Sequence, residues 1–275
     1  MKFSINFNGM LVDPQTRIAT AFNRSLRFGD GLFETMFWDG YQIRNENFHL
    51  DRLFHSLSIL HFDFTSGFTR QFISEEIHRL CLNNAPEEKA RIRLNAFRED
   101  GGLLLPENNR PVFLIESATF PEQNQSSLRL TIFEAEKKYP GILSNLKTNN
   151  YLLFMMALQY AKENGFDDAL VLNSSGNCCE AGSSNLFMVL KGIIYTPALT
   201  EGCVAGTKRR QLLEQLPSLG FQIKETSIGM PLLFEMEEVF LTNAIRGISP
   251  VRSINDHVYQ HELTDMLIRL TENQC

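Results

Sequence analysis

Short strand-like runs alternate with helical runs along the whole chain, and this alternation most constrains the fold. Asn8-Gly9 and Asp39-Gly40 each follow an apolar run, as tight hairpin turns do. Residues 48–60 instead repeat leucine and phenylalanine at helical spacing. Both halves of the chain mix hairpins with helices. The pattern therefore predicts an α+β or mixed α/β fold rather than a strictly parallel wound sheet.

A polar stretch near residue 120 marks the expected domain boundary. Residues 121–127 combine proline, glutamate, glutamine, asparagine and serine, and they interrupt the apolar pattern. We expect a small N-terminal α/β domain over residues 1–118 and an interdomain linker over 119–127. A larger C-terminal α/β domain over 128–275 would then carry Lys147. A chain of 275 residues is long enough for two such domains.

The charge and composition exclude several classes of partner. Lys and Arg number 26 against 32 Asp and Glu, a net charge of -6. Nucleic acids and anionic membranes bind basic surfaces, so we expect neither as a partner. No run approaches the roughly 18 apolar residues of a membrane helix, and the N-terminus lacks an apolar signal core. The five cysteines lack zinc-site spacing, and the six histidines form no metal pattern; His49, His55 and His61 are expected to be partly exposed. We therefore expect a cytoplasmic protein with free thiols and no metal.

Three positions in the second half of the chain could carry chemistry. Lys147 precedes an apolar helical run; in an apolar site its pKa would fall and the amine would become nucleophilic, although an exposed loop lysine is the alternative. Glu180 lies among small residues, where it could pair with a protonated heterocycle or simply satisfy a turn. Residues 202–210 run from a glycine-containing loop into a helix, a place suited to phosphate. Together these features are what a pyridoxal-phosphate site requires.

The order of these motifs resembles the class IV, fold-type-IV pyridoxal-phosphate family of branched-chain aminotransferases, D-amino-acid aminotransferases and 4-amino-4-deoxychorismate lyases. The matching pieces are residues 28–35 (FGDGLFET), 49–53 (HLDRL) with Ser56, 147 with 150–152, 180–187, 196–197, 206–209, and 239–244 with 250–251. They occur in family order and cover nearly the whole chain. The resemblance implies a two-domain, D-amino-acid-aminotransferase-like enzyme that works as a homodimer, with its active site at the domain interface.

The resemblance also implies roles for individual residues. Lys147 would join pyridoxal 5'-phosphate as an aldimine and shuttle the substrate proton, while Glu180 would keep the pyridine nitrogen protonated. The remaining expected cofactor contacts are Arg52 on the phosphate, Tyr151 on the phenolic oxygen, and Gly206, Thr207, Lys208, Asn243 and Ala244 around the phosphate. The expected substrate contacts are Phe33, Thr35, Arg93 and Arg98.

Some of these assignments leave alternatives open. Arg93 and Arg98 are each candidates to clamp a carboxylate, because a guanidinium matches it bidentately, but each could equally be an exposed surface arginine. Thr35 either acts at the substrate or is a plain strand residue.

The shared machinery does not decide the reaction. We expect an aminotransferase that moves an amino group between an amino acid and a 2-oxo acid. The alternative is a 4-amino-4-deoxychorismate lyase that releases pyruvate and 4-aminobenzoate, and the Asn243-Ala244 pair and the chain length match this type better. A third interpretation is a non-catalytic cofactor-binding or scaffold protein, which the presence of Lys147 and Glu180 opposes.

Overall fold

The computed structural model describes residues 3–64, 67–85, 87–120 and 127–272. The chain forms two compact units, one of Met1–Glu122 with Leu146–Asn150 and one of Gln123–Asn145 with Tyr151–Cys275. The division falls inside the expected linker, most of which lies outside the described residues. Lys147 belongs to the first unit, which corrects its expected place in the C-terminal domain. The reason is backbone pairing: Phe33 N–H donates to the Lys147 carbonyl, and Asn149 N–H donates to the Gly31 carbonyl, both at 2.9 Å.

The first unit contains an antiparallel sheet and three helices in its described part. The strands are β1 (Ile5–Phe7), β2 (Met10–Val12), β3 (Gly31–Trp38), β4 (Ala90–Arg98) and β5 (Pro111–Thr119), in the order β2-β1-β5-β4-β3. The helices are α1 (Arg24–Phe28), α2 (Glu46–Ile59) and α3 (Arg70–Asn84). Asn8 and Gly9 both adopt positive φ, at 50° and 87°, as the predicted hairpin between β1 and β2 requires.

Strand alternation gives this sheet two different faces. Leu32, Met36 and Leu94 join one buried cluster with Leu53 of α2 and Ile77 of α3. Because successive side chains of a strand point to opposite sides, even-numbered residues of β3 and β4 face these helices. Odd-numbered residues of the same strands lie on the opposite face.

The second unit contains a larger mixed sheet. Its strands are β6 (Leu128–Lys138), β7 (Asp168–Asn173), β8 (Cys178–Ala181), β9 (Asn185–Leu190), β10 (Ile193–Pro197), β11 (Ile223–Thr226), β12 (Glu238–Asn243), β13 (Gly247–Ile254) and β14 (His257–Val258). Their order is β11-β10-β9-β12-β13-β6-β7-β8, with β14 on β13. The pairs β10–β11, β6–β13 and β6–β7 are parallel and the others antiparallel. The helices are α4 (Leu152–Glu163), α5 (Thr207–Gln215), α6 (Met230–Leu233) and α7 (Glu262–Glu272).

The sequence pattern predicted most of these elements but missed three strands, β8, β13 and the two-residue β14. Strand β13 contains Pro250, which lacks an N–H and argues against a central strand, yet it pairs with both β12 and β6. Strand β8 has four residues, all buried, so no alternation reveals it. None of the helices in the described part of the chain combines the length and apolar character needed to cross a bilayer.

Candidate active site

Lys147 extends the edge of the first unit's sheet beside β3. Its half-buried side chain places Nζ 4.4 Å from the ring centroid of Phe33. The neighbouring Leu146 is buried in the helix-side core, which anchors the segment. An apolar ring therefore covers one side of the amine, as expected for a lysine that acts chemically.

Three of the four expected substrate residues lie on one face of the first unit's sheet. Thr35 and Arg93 are directly paired between β3 and β4, so they share the face of the sheet that carries Phe33. The Arg93 guanidinium lies 4.0 Å from the Phe33 ring centroid. Arg93 also donates to the Asn95 side chain at 3.3 Å. The ring of Phe33 thus has both an ammonium and a guanidinium against it.

Arg98, the fourth expected substrate residue, lies elsewhere. It is five residues from Arg93 on the same strand and therefore faces the helix side of the sheet, where it is buried. It forms an ion pair with Asp30 and donates to the Leu60 carbonyl and to the Asn109 side chain. These internal contacts fit neither a substrate clamp nor an exposed surface arginine.

Arg52 is held by a buried carboxylate on β3. Its Nε and Nη2 donate to the two oxygens of Glu34 at 2.7 and 2.5 Å, and His49 Nδ1 lies 2.6 Å from the same carboxylate. Burial alone would raise the pKa of Glu34, but Arg52 and His49 hold it at about 2. Burial also lowers the pKa of His49. His49 is only 1% exposed, which corrects the expectation of partly exposed histidines for this residue.

Glu180, on β8 of the second unit, is buried and charge-compensated. Both of its carboxylate oxygens accept from Val204 N–H, at 3.1 and 3.0 Å. One of them also forms an ion pair with Lys138 at the end of β6. The carboxylate is therefore fixed by a strand, a loop amide and a cation, rather than satisfying a local turn.

The start of α5 is shaped around Gly206. A Cβ at this position would lie 1.8 Å from Asn185 Oδ1. Asn185 itself donates to the Val204 carbonyl at 2.8 Å, so its side chain is held across the turn that begins the helix. Opposite Asn185 on β12, the hydroxyl of Thr242 is buried and has no hydrogen-bond partner among the described residues. Close packing and an unpartnered polar group here fit a site built for a polar ligand.

Helix α5 begins at Thr207, and the amide N–H groups of its first turn are directed out of its N-terminus. The side chains of Thr207 and Lys208 are both buried. The segment expected to contact the phosphate therefore offers backbone amides at a helix start, a geometry that suits an anion.

The remaining expected cofactor residues lie on two turns of the second unit. Asn243 accepts from the N–H groups of Ile245 and Arg246 at 3.0 and 2.7 Å, and it donates to Ser184 Oγ at 3.0 Å. Ala244 lies inside this closed turn. Tyr151, just before α4, donates its hydroxyl to the Gly182 carbonyl at 3.2 Å. The turn that follows β12 is therefore hydrogen-bonded to the turn that precedes β9.

Residues 31–254 match the family model described as amino-transferase class IV. The chain belongs to the class IV aminotransferase family. It is 27% identical over 248 residues to aminodeoxychorismate lyase of Vibrio harveyi, covering 88% of this chain and 89% of that protein. It is also 27% identical over 261 residues to the branched-chain-amino-acid aminotransferase of Pseudomonas aeruginosa, covering 90% and 84%.

Solved structures in the same family share the fold. The 4-amino-4-deoxychorismate lyase of Pseudomonas aeruginosa superimposes with a TM-score of 0.85 at 27% identity, over 95% of this chain and 97% of that one. The branched-chain aminotransferase of Thermoproteus uzoniensis gives 0.90 at 24% identity, over 99% and 94%. These matches confirm the predicted mixed α/β, fold-type-IV architecture. They also confirm that the chain is an enzyme of this family and that the family's cofactor is pyridoxal phosphate.

Three contacts in the site were not anticipated. Glu34 lies inside the FGDGLFET motif, and its spacing from Arg52 could have suggested a pair. Asn185 follows Glu180 within a matched motif but had no role assigned. Lys138 lies 42 residues from Glu180, and no local signal connects them.

Proposed function

We propose that this protein is a pyridoxal-phosphate-dependent aminotransferase that exchanges an amino group between an amino acid and a 2-oxo acid. The observation that carries the proposal is the placement of Lys147 and Arg93 against the same ring, Phe33. A primary amine and a carboxylate-binding guanidinium are what an amino-acid substrate needs side by side. Both lie on segments paired with β3, so the sheet fixes their spacing.

The residues present fit the cofactor, because Gly206 lets the backbone that begins α5 lie close against Asn185, and Thr242, opposite Asn185, has a buried hydroxyl with no partner among the described residues. The residues that would hold the cofactor are Lys147, Arg52, Glu180, Tyr151, Gly206, Thr207, Lys208, Asn243 and Ala244. When bound, the cofactor supplies an electron sink for the carbon that loses its proton.

Each of these groups has a distinct task. The amine of Lys147 would carry the substrate proton, and the Phe33 ring shields it from water on one side. Glu180 would accept a hydrogen bond from the protonated pyridine nitrogen. Arg52 would contact the phosphate with its guanidinium orientation fixed by Glu34. The amides at the start of α5 would bind phosphate oxygens.

Substrate recognition would rest on Arg93, with Phe33 and Thr35 beside it. Arg98 is not expected to contact the substrate, since Asp30, Asn109 and Leu60 already engage its guanidinium. Arg93 can offer a planar pair of N–H donors to a substrate carboxylate.

A second candidate is the 4-amino-4-deoxychorismate lyase reaction. It is favoured by the Asn243-Ala244 turn, which matches the lyase type, and by 27% identity to a protein of that name over 88% of this chain. The substrate of that reaction is also a carboxylate, so the Arg93 position suits both.

Assays of the purified protein loaded with pyridoxal phosphate separate the two reactions. We expect amino transfer from at least one member of a panel of L- and D-amino acids to a 2-oxo acid, measured by chromatography of both products. Pyruvate release from aminodeoxychorismate, with no amino transfer in any combination, would replace the aminotransferase proposal with the lyase. Binding of the cofactor without either reaction would favour the scaffold interpretation.

We further propose a cytoplasmic homodimer. Leu103, Leu104 and Leu105 are each at least 80% exposed, and α4 exposes Leu152 and Met155. Apolar surface of this kind is typical of an interface between subunits. The four described cysteines are free and buried, which suits a reducing compartment. Light scattering coupled to size exclusion should give a mass of two chains; a single-chain mass at micromolar concentration would contradict the dimer.

A further inference from the structure

Lys138 is a buried cation in the second unit without a role in the family assignments made above. It ends β6 and is only 9% exposed. Its ammonium forms an ion pair with Glu180 on β8 and lies 5.0 Å from the ring centroid of Phe154 on α4. A lysine is seldom buried unless it is paired, so its position requires Glu180 as a partner.

Glu180 depends on Lys138 in return. Among the described residues, the donor to its carboxylate apart from Lys138 is the single N–H of Val204, shared between both oxygens. One amide is little compensation for a buried carboxylate, because an isolated charge in a protein interior is strongly unfavourable. Removing Lys138 would therefore leave Glu180 free to turn away from its present direction.

The other ionisable groups around the pair do not replace this cation. Burial raises the pKa of Cys203 to about 12 and also raises that of Cys179, so both thiols are neutral at physiological pH. Glu201 is engaged by Ser227, Asn173 and Asn177. Arg209 forms an ion pair with Glu225 and donates to the Pro197 carbonyl.

We propose that Lys138 is a positioning residue that holds the Glu180 carboxylate in place and directed toward the pyridine nitrogen of the cofactor. This inference rests on the proposed function, in which Glu180 meets that nitrogen. Lys138 has a second effect through its charge. A cation behind Glu180 lowers the affinity of the nearby cofactor for protons, because like charges repel. Lys138 thus sets how strongly the carboxylate and the cofactor share a proton.

The first test is a double-mutant cycle with Lys138→Met and Glu180→Gln, measured by urea unfolding of the cofactor-free protein. We expect Lys138→Met to lower the unfolding midpoint clearly when Glu180 is present and much less when position 180 is glutamine. Equal losses in both backgrounds would mean that Lys138 only fills space, and would overturn the proposal. Lys138→Arg retains the charge and provides a folded comparison if the methionine variant is too unstable.

The second test is a pH titration of the visible absorbance of bound pyridoxal phosphate. We expect Lys138→Met to move the midpoint upward by about 1 pH unit, and Lys138→Arg to restore it. Lys137→Met, at the neighbouring half-buried lysine, is the matched control and should leave the midpoint in place. An unchanged midpoint in Lys138→Met would overturn the positioning role.

The outcome for Lys138 is separable from the outcome for the proposed function. A wild-type protein that takes up no pyridoxal phosphate would refute the proposed function, whatever the unfolding cycle gives. The wild-type protein could instead bind the cofactor and transfer amino groups while Lys138→Met costs the same stability with glutamate or glutamine at position 180. That result would refute the role of Lys138 alone.

Discussion

The two faces of the first unit's sheet use the same two strands for different purposes. On the helix side, Glu34 of β3 and Arg98 of β4 enter closed ionic clusters with Arg52 and Asp30. On the opposite side, Arg93 of β4 lies against the ring of Phe33, which also meets Lys147. Arg93 and Arg98, five positions apart on the same strand, therefore have separate environments.

This difference teaches which substitutions should affect folding and which should affect chemistry. The helix-side carboxylate and guanidinium groups satisfy one another, so their removal leaves buried charges without counter-ions. The residues on the opposite face have strand register and ring contacts among the interactions that hold them. We expect substitutions on the helix side to lower stability, and those on the opposite face to lower activity with the fold intact.

The largest expected effect is loss of activity in Lys147→Ala. Because general acid–base catalysis alone contributes about 10²–10⁴-fold, removal of the amine should lower kcat by about 10⁴-fold or more. The urea midpoint should change little, since the backbone pairing of Lys147 with Phe33 does not need the side chain. Lys89→Ala, at an exposed lysine of the same unit, should retain full activity. Full turnover in Lys147→Ala would show that Lys147 is not a catalytic residue.

On the helix side, Glu34→Gln should have the largest effect on stability. It leaves Arg52 and His49 without their shared carboxylate, and breaking a buried ion pair costs about 3–5 kcal/mol in the free energy of unfolding. Asp51→Asn, on α2 next to Arg52, is the matched control. Its ion pair with Arg70 is largely exposed, so it should cost below about 1 kcal/mol. Equal losses in the two variants would show that the Glu34 cluster is not a stabilising unit.

The same cluster should make the fold sensitive to acid. The pKa of Glu34 falls from 4.5 to about 2 on folding, and that of His49 also falls from 6.5. For both groups the unfolded chain binds more protons as the pH drops, so their contributions are present at neutral pH and lost on acidification. The loss attributable to His49 should begin near pH 6.5, and that of Glu34 should extend from about 4.5 toward 2.

Urea unfolding between pH 7 and pH 3 checks this dependence. The wild-type free energy of unfolding should decrease as the pH falls. In His49→Gln the decrease just below pH 6.5 should be shallower, and in Glu34→Gln the decrease below pH 4.5 should be shallower. Identical slopes in all three proteins would contradict the assignment of the acid sensitivity to this cluster.

Arg93→Met and Arg98→Met compare the two faces directly. Loss of a charged hydrogen bond to a substrate carboxylate is worth roughly 1.5–3 kcal/mol, so Arg93→Met should raise KM about 10- to 100-fold. Arg98→Met should lower the free energy of unfolding by about 3 kcal/mol and leave KM nearly unchanged. Steady-state kinetics and urea unfolding of both variants give the comparison. If Arg98→Met raised KM and Arg93→Met instead lowered the free energy of unfolding, Arg98 would be the substrate contact and Arg93 the structural residue.

The sequence predicted the site better where residues are close in a motif than where the fold joins distant segments. Lys147, Glu180 and the start of α5 could be recognised because each lies in a short matched pattern. The environments of Arg93 and Arg98 could not be predicted. The face of the sheet on which each side chain lies depends on where β4 begins, and a shift of one residue moves every side chain to the other face. Lys138 could not be connected to Glu180, because three strands of the second unit bring them together.

The smallest expected effect is that of Thr35→Val, and it bears on which reaction the opposite face supports. Valine preserves the shape of threonine beside Arg93 and removes only the hydroxyl. If Thr35 is a strand residue, amino transfer should fall by less than about threefold, because surface-like strand positions tolerate such changes. The measurement is kcat for amino transfer alongside pyruvate release from aminodeoxychorismate. A loss of more than tenfold confined to pyruvate release would instead place the hydroxyl at the substrate, as the lyase alternative requires.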